Sequence, residues 1–279
     1  MNKSEFSLVS ILGIISSVIF IWVFLFSIWY SNTILNQKKF VYTTTAVLQS
    51  EEIRSAISSQ IVNSVQEKRP IVGAIAAPLL TNIITGVMDS NLYSNLNTKI
   101  AQEIQIQLTS ANPKEVYFNV KPTKDLLSPI LSRVEPELLR NVPDRVEIIR
   151  KNQIPSLYLF GTYLTITGPI LLISALIILG FLWTRISDKR NYITILSLTF
   201  AGTALLVYFL VPALGNYIIA QTNSIEKSLI VSNLYYAFFN PISQTATYVL
   251  IGAIVIALIA KFVKKEIFRL PDRISSSKK

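Results

Sequence analysis

Two close pairs of carboxylates, Glu51 with Glu52 and Glu135 with Glu137, are the groups in this chain best spaced for general acid and base work. Each pair also reads as ordinary solvated charge at a helix terminus, where the helix dipole favours Glu51 and Glu52. The wider catalytic repertoire is thin. There is no histidine, which removes the commonest general base and metal ligand. There is no cysteine, which removes disulfides, thiolate metal sites, iron–sulfur clusters and a thiol nucleophile. A Ser–Lys dyad needs only two residues, but no motif proposes one, and the nine glycines are scattered rather than gathered into a phosphate loop. No catalytic, cofactor-binding or metal-binding residue is assigned, and no cofactor is expected.

The remaining chemistry is that of positive charge. Lys261, Lys264, Lys265, Arg269 and Arg273 alternate with Phe262, Ile267, Phe268 and Leu270. A short basic amphipathic extension of this kind contacts the anionic lipids of an inner leaflet. A nucleic-acid role is disfavoured because the segment is short and adjoins an apolar span.

These residues are positioned by a membrane-protein composition. Of 279 residues, 51% are hydrophobic and 15% charged, against about a quarter charged in soluble domains; the mean hydropathy is +0.47. The spacing predicts a mostly α membrane fold with four transmembrane helices over 8–30, 157–183, 192–210 and 245–263. A bilayer core of ~30 Å takes about 20 helical residues, so each run suffices. The first is too long for the apolar region of a cleaved leader, about 7–15 residues, and ends in Trp29-Tyr30; it reads as a signal anchor after a cytoplasmic segment 1–7. Gly168-Pro169 predicts a kink in the second span. Small residues four apart, Gly13/Ser17, Ser197/Ala201 and Ala253/Ala257, suit close helix approach, although such spacing is frequent by chance.

Charge sets the topology. The loop 184–191 holds Arg185, Lys189 and Arg190 against Asp188, and the tail 264–279 is basic, whereas the stretch 211–244 holds only Glu226 and Lys227. The positive-inside rule places the 184–191 loop, the tail and both termini in the cytoplasm. It places 31–156 and the aromatic-rich loop 211–244 outside. That loop, containing Leu229 to Phe239, is expected to lie on the membrane interface or on the bundle. Apart from Lys261 at the end of the fourth, the spans carry no Asp, Glu, Lys, Arg or His, which argues against a pump or ion-coupled transporter.

Residues 31–156 read as an extracytoplasmic, helix-rich α+β domain inserted between spans 1 and 2. Helices are expected over Glu51–Gln66 with Ser50 as N-cap, and over about Leu92–Leu108. Strands are expected over Glu115–Val120 and Arg145–Arg150. The uncharged segment Pro70–Met88 reads as a core helix, since a fifth span would break the charge parity; a re-entrant or membrane-resting segment, which leaves the parity unchanged, is the alternative. Short helical turns are expected over 124–134 and between Pro136 and Pro143. The outward segments contain no Asn-x-Ser/Thr sequon; with no cysteine either, this points to a bacterial envelope.

Tyr117-Phe-Asn-Val-Lys-Pro122, Asn141-Val-Pro-Asp144, Val146-Glu-Ile-Ile149 and the start of the second span carry a resemblance. Over roughly residues 115–215 the chain resembles a group of uncharacterised bacterial four-span integral membrane proteins. These have a large extracytoplasmic helical domain after the first span. The resemblance implies the same topology and brings no activity or site residue.

The expected function is that of a non-enzymatic multi-pass protein of the cell membrane. It would be a subunit or anchor of an envelope complex, or a homo-oligomer, whose outer domain binds a protein or wall partner. An extracytoplasmic ligand sensor or transport accessory is the second reading. A membrane-bound hydrolase with a Ser–Lys or carboxylate site is the third. No nucleic-acid partner is expected.

Overall fold

A computed structural model describes residues 8–68, 78, 81–82, 85–114, 116–119, 145–149, 157–222 and 225–262. In chain order the elements are α1 (Leu8–Tyr30), a π-helical segment (Ser31–Leu35), α2 (Gln37–Leu48), α3 (Glu51–Lys68), α4 (Asn91–Leu108), β1 (Val116–Asn119), β2 (Arg145–Ile149), α5 (Tyr158–Arg185), α6 (Lys189–Ala220) and α7 (Ile225–Phe262). The fold is mostly helical. Among the described residues, four segments are long and apolar enough to cross a membrane: Leu8–Leu35, Tyr158–Arg185, Lys189–Ala220 and Ser228–Phe262. In hydrocarbon a backbone must satisfy its own hydrogen bonds, which a helix does within one segment. No more than 17% of the most apolar stretch of each is buried within the protein. Side chains such as Ile173 and Ile177 on α5, and Leu206 and Phe209 on α6, therefore have lipid as their solvent.

The stretch 211–244 differs from the expectation of a surface loop. Residues 211–220 continue α6, and 225–244 belong to α7, with Pro212 and Pro241 inside the helices. Each proline removes one N–H donor, but the neighbouring sequence is strongly apolar and continues the helical hydrogen bonding on both sides. The 32 residues of α6 and 38 of α7 exceed the ~20 needed for a bilayer core. The membrane-length segments 192–210 and 245–263 are thus portions of longer rods. The basic loop is also tighter than 184–191, because α5 runs to Arg185 and α6 begins at Lys189.

The chain forms two compact units. One takes Met1–Trp29, Thr165–Asn216 and Phe239–Lys279. Its core gathers Ile14 and Val18 of α1 with Leu182, Ile186 and Tyr192, flanked by Trp22, Ile178 and Phe200. Gly168 allows α1 to approach α5 closely: a Cβ built there would lie 2.7 Å from both Cβ and Oγ of Ser27. Within this apolar packing the Trp22 indole N–H donates to Thr203 Oγ1 at 2.9 Å, and Thr203 donates to the Thr199 carbonyl at 2.9 Å.

The other unit takes Tyr30–Leu164 and Tyr217–Phe238. Here Asn36 ends the first span by adopting an extended backbone, and its Oδ1 caps α2 by accepting from the Lys39 N–H at 3.1 Å. Phe40, Val41 and Thr44 form the buried stripe of α2, and the Phe40 ring meets Phe238 at 5.0 Å. Ser90 caps α4, accepting from the Tyr93 N–H. The Ser50 hydroxyl expected to cap α3 is instead buried and makes no hydrogen bond. β1 and β2 pair antiparallel, from Asn119 opposite Arg145 to Val116 opposite Ile149. An irregularity at Val116/Tyr117 leaves Ile148 without a register partner. The Leu157 N–H donates to the Leu108 carbonyl at 2.9 Å, joining α4 to the start of α5. The sequence expectations for most of 70–88, and for 124–134 and 136–143, lie outside the described residues.

Gln105 ties this unit together. Its buried amide donates to the carbonyls of Ile34 at 3.2 Å and Leu35 at 3.3 Å. The last carbonyls of a helix have no partner within it, and this amide supplies one. Gln105→Leu, which keeps the volume but removes the donor, is expected to destabilise the protein by about 1–3 kcal/mol. Thermal unfolding of the purified variant in detergent checks this; an unchanged midpoint would mean that water serves these carbonyls equally well.

Candidate functional site

The basic helix ends converge within the first unit. Asp188 starts α6, its Oδ1 accepting from the Asn191 N–H at 3.1 Å. This places Lys189 and Arg190 in the first turn. The Lys189 ammonium stands 4.9 Å from the centre of the Trp183 ring, and the Arg185 guanidinium 5.0 Å from that of Phe181. Trp183 in turn meets Tyr192 edge-on at 5.7 Å. Aromatic rings interleaved with cations are the composition of a membrane–water interface.

Arg190 reaches across to α7, where its guanidinium donates to the Lys261 carbonyl. Below this bridge α6 and α7 leave a groove of ≈ 660 Å³. Its floor comes from Ser197 and Ala201 on α6 and from Ala253 and Ala257 on α7. These are the small residues whose spacing suits close helix contact. They instead leave a concavity, because Leu198, Ile254 and Leu258 beside them are large and exposed. The mouth is polar, with Arg190, Lys261, Asn191 and Asp188. Its volume falls within the ~300–1,000 Å³ of small-molecule sites.

Of the basic residues singled out in the sequence, Lys261 stands exposed in the last turn of α7. Lys264, Lys265, Arg269 and Arg273 lie outside the described residues, as do Glu135 and Glu137. Glu51 and Glu52 occupy the first turn of α3 and are exposed. The structure thus unites Lys261 with Arg190, a partnership between residues 71 apart in sequence. In the sequence Arg190 is legible only as a topology signal.

A second cleft, of ≈ 460 Å³, lies in the other unit beside the Arg54–Asp89 ion pair. Hydroxyls line it, including those of Ser55, Ser58, Ser59 and Thr85. Ser58 Oγ and Arg54 Nε are buried there and make no hydrogen bond. Among the described residues, no group of acidic side chains could hold a metal ion.

No protein-family model matches this chain, and neither a curated protein nor a solved structure matches it.

Proposed function

We propose that this chain is a non-enzymatic, multi-pass subunit or anchor of an envelope complex, with both termini in the cytoplasm and residues 31–156 outside. The observation that carries the reading is the separation of charge from apolar surface. The helix ends bearing Arg185, Lys189, Arg190 and Lys261 gather at one end of their unit, while the stretches 192–210 and 245–260 hold large exposed apolar side chains and no Asp, Glu, Lys or Arg. Under the positive-inside rule that end is cytoplasmic. The first span then delivers residues 31–156 to the other face, where they form a helix-rich domain able to bind a protein or wall partner. The basic tail rests on anionic inner-leaflet lipid. One helix is enough for an anchor; four present lateral surface to other membrane helices.

Crosslinking in native membranes, followed by purification and mass spectrometry, tests the proposal. A membrane protein recovered in stoichiometric amount is the expected result. Recovery of the chain alone as a monomer would overturn it and favour an extracytoplasmic ligand sensor. The hydroxyl-lined cleft, with its two unpaired buried polar atoms, is the observation that speaks for that second reading.

A further inference from the structure

We infer that the groove between α6 and α7 is a binding site for one anionic phospholipid of the leaflet at the basic end, with an acyl chain along its floor and the phosphate at Arg190 and Lys261. The inference deepens the proposed membrane topology and rests on it. Three observations carry it.

The first is chemical polarity along the groove. The walls are exposed aliphatic side chains, Leu198, Ile254 and Leu258, and the mouth alone is cationic. Among the described residues of this unit, Arg185, Lys189, Arg190 and Lys261 are set against a single carboxylate, Asp188. That carboxylate is already engaged by the Asn191 N–H. An apolar tail with a negative head matches this order; a neutral lipid matches only the lower part.

The second is length. From Arg190 to Ala201 the α6 backbone rises about 16 Å at ~1.5 Å per residue. From Ala253 to Lys261 the α7 backbone rises about 12 Å. Either distance is roughly half the ~30 Å hydrocarbon core, the depth of one leaflet. A partner helix would need a groove extending across both leaflets, so an acyl chain is the better fit.

The third is the fixed geometry of the mouth. The Arg190 guanidinium donates to the Lys261 backbone carbonyl of the facing helix. The guanidinium is therefore held over the opening, and its fork retains donors for a phosphate.

Native mass spectrometry of the full-length protein in neutral detergent, titrated with dioleoyl phosphatidylglycerol or dioleoyl phosphatidylcholine, tests the site. The wild type is expected to retain one phosphatidylglycerol at concentrations where phosphatidylcholine is lost. Arg190→Gln should weaken that retention by about tenfold. Ala257→Phe fills the groove without changing charge and should weaken it as much; Ala201→Leu does the same from α6 should Ala257→Phe fail to fold. Equal retention of the two lipids would overturn the inference. So would undiminished retention by a folded, groove-filled variant, which would leave only adsorption to the basic surface. The titration does not depend on which face is cytoplasmic, so a failure of the orientation, read separately by thiol labelling at residue 187, is distinguishable from a failure of the site.

Discussion

A single thiol introduced at Asn112 is expected to react with a membrane-impermeant maleimide on intact cells, and one introduced at Ser187 only after the membrane is opened. The chain has no cysteine, so each variant carries one reactive group and no background. Both positions are exposed, Asn112 after the end of α4 and Ser187 between α5 and α6. The contrast should be all-or-none, because a bilayer either separates reagent from thiol or does not. It follows from the basic residues on either side of Ser187, whose transfer across the membrane the positive-inside rule opposes. Labelling of Ser187→Cys in intact cells, or protection of Asn112→Cys there, would sink the four-span topology and the assignment of 31–156 to the outside.

Gly168→Leu is expected to abolish the folded state of the first unit. The Cβ alone would sit 2.7 Å from Ser27 Cβ and Oγ, against a comfortable carbon–carbon separation of about 3.5–4.0 Å. Ser27 is buried and cannot swing away without leaving the interface. Overpacking of this kind costs about 1–3 kcal/mol for modest additions, and a leucine adds three further carbons. Gly168→Ala should therefore lose about 1–3 kcal/mol in detergent unfolding, and Gly168→Leu should fail to yield monodisperse protein. A compensating change sharpens the test. Ser27→Gly removes both clashing atoms, leaving Phe24 Cα at 3.8 Å, an ordinary contact. The double variant Gly168→Ala, Ser27→Gly should therefore be more stable than the sum of its two single changes predicts. Additive losses would mean that the contact between residue 168 and Ser27 is not the source of the cost.

The spans are readable in the sequence because an uncharged apolar run of ~20 residues suits a bilayer and little else. The run Leu8–Tyr30 accounts for α1 to the residue, though not for its π-helical continuation to Leu35. Strands β1 and β2 are readable from short runs of β-branched and aromatic residues between prolines. Other elements are not. The helix α2 contains Thr43-Thr-Thr45, a sequence of low helix propensity, and only its packing of Phe40, Val41 and Thr44 makes it a helix. Pro212 lies just past the expected end of the third span at residue 210, yet α6 continues through it, as α7 does through Pro241. The groove is least legible of all. Ser197, Ala201, Ala253 and Ala257 are visible as small residues, but whether such residues close a contact or open a hollow depends on the bulk of neighbours on another helix. Arg190 and Lys261 can be paired only once α6 and α7 stand side by side.

The bond from Trp22 to Thr203 bears on how the helices sit in depth. Helices packed through smooth aliphatic surfaces can slip past one another by a turn of ~5.4 Å, as happens in some switching proteins. Here such a slip would strand an indole N–H in hydrocarbon, where an unpaired donor costs several kcal/mol. One polar contact thereby fixes the vertical register of α1 against α6. Since α6 carries Lys189 and Arg190 at its start, the same contact sets how far Leu8 stands from the plane of those charges. The lipid-facing girdle can then adapt to bilayers of differing thickness by tilting as a body, while its internal alignment stays constant.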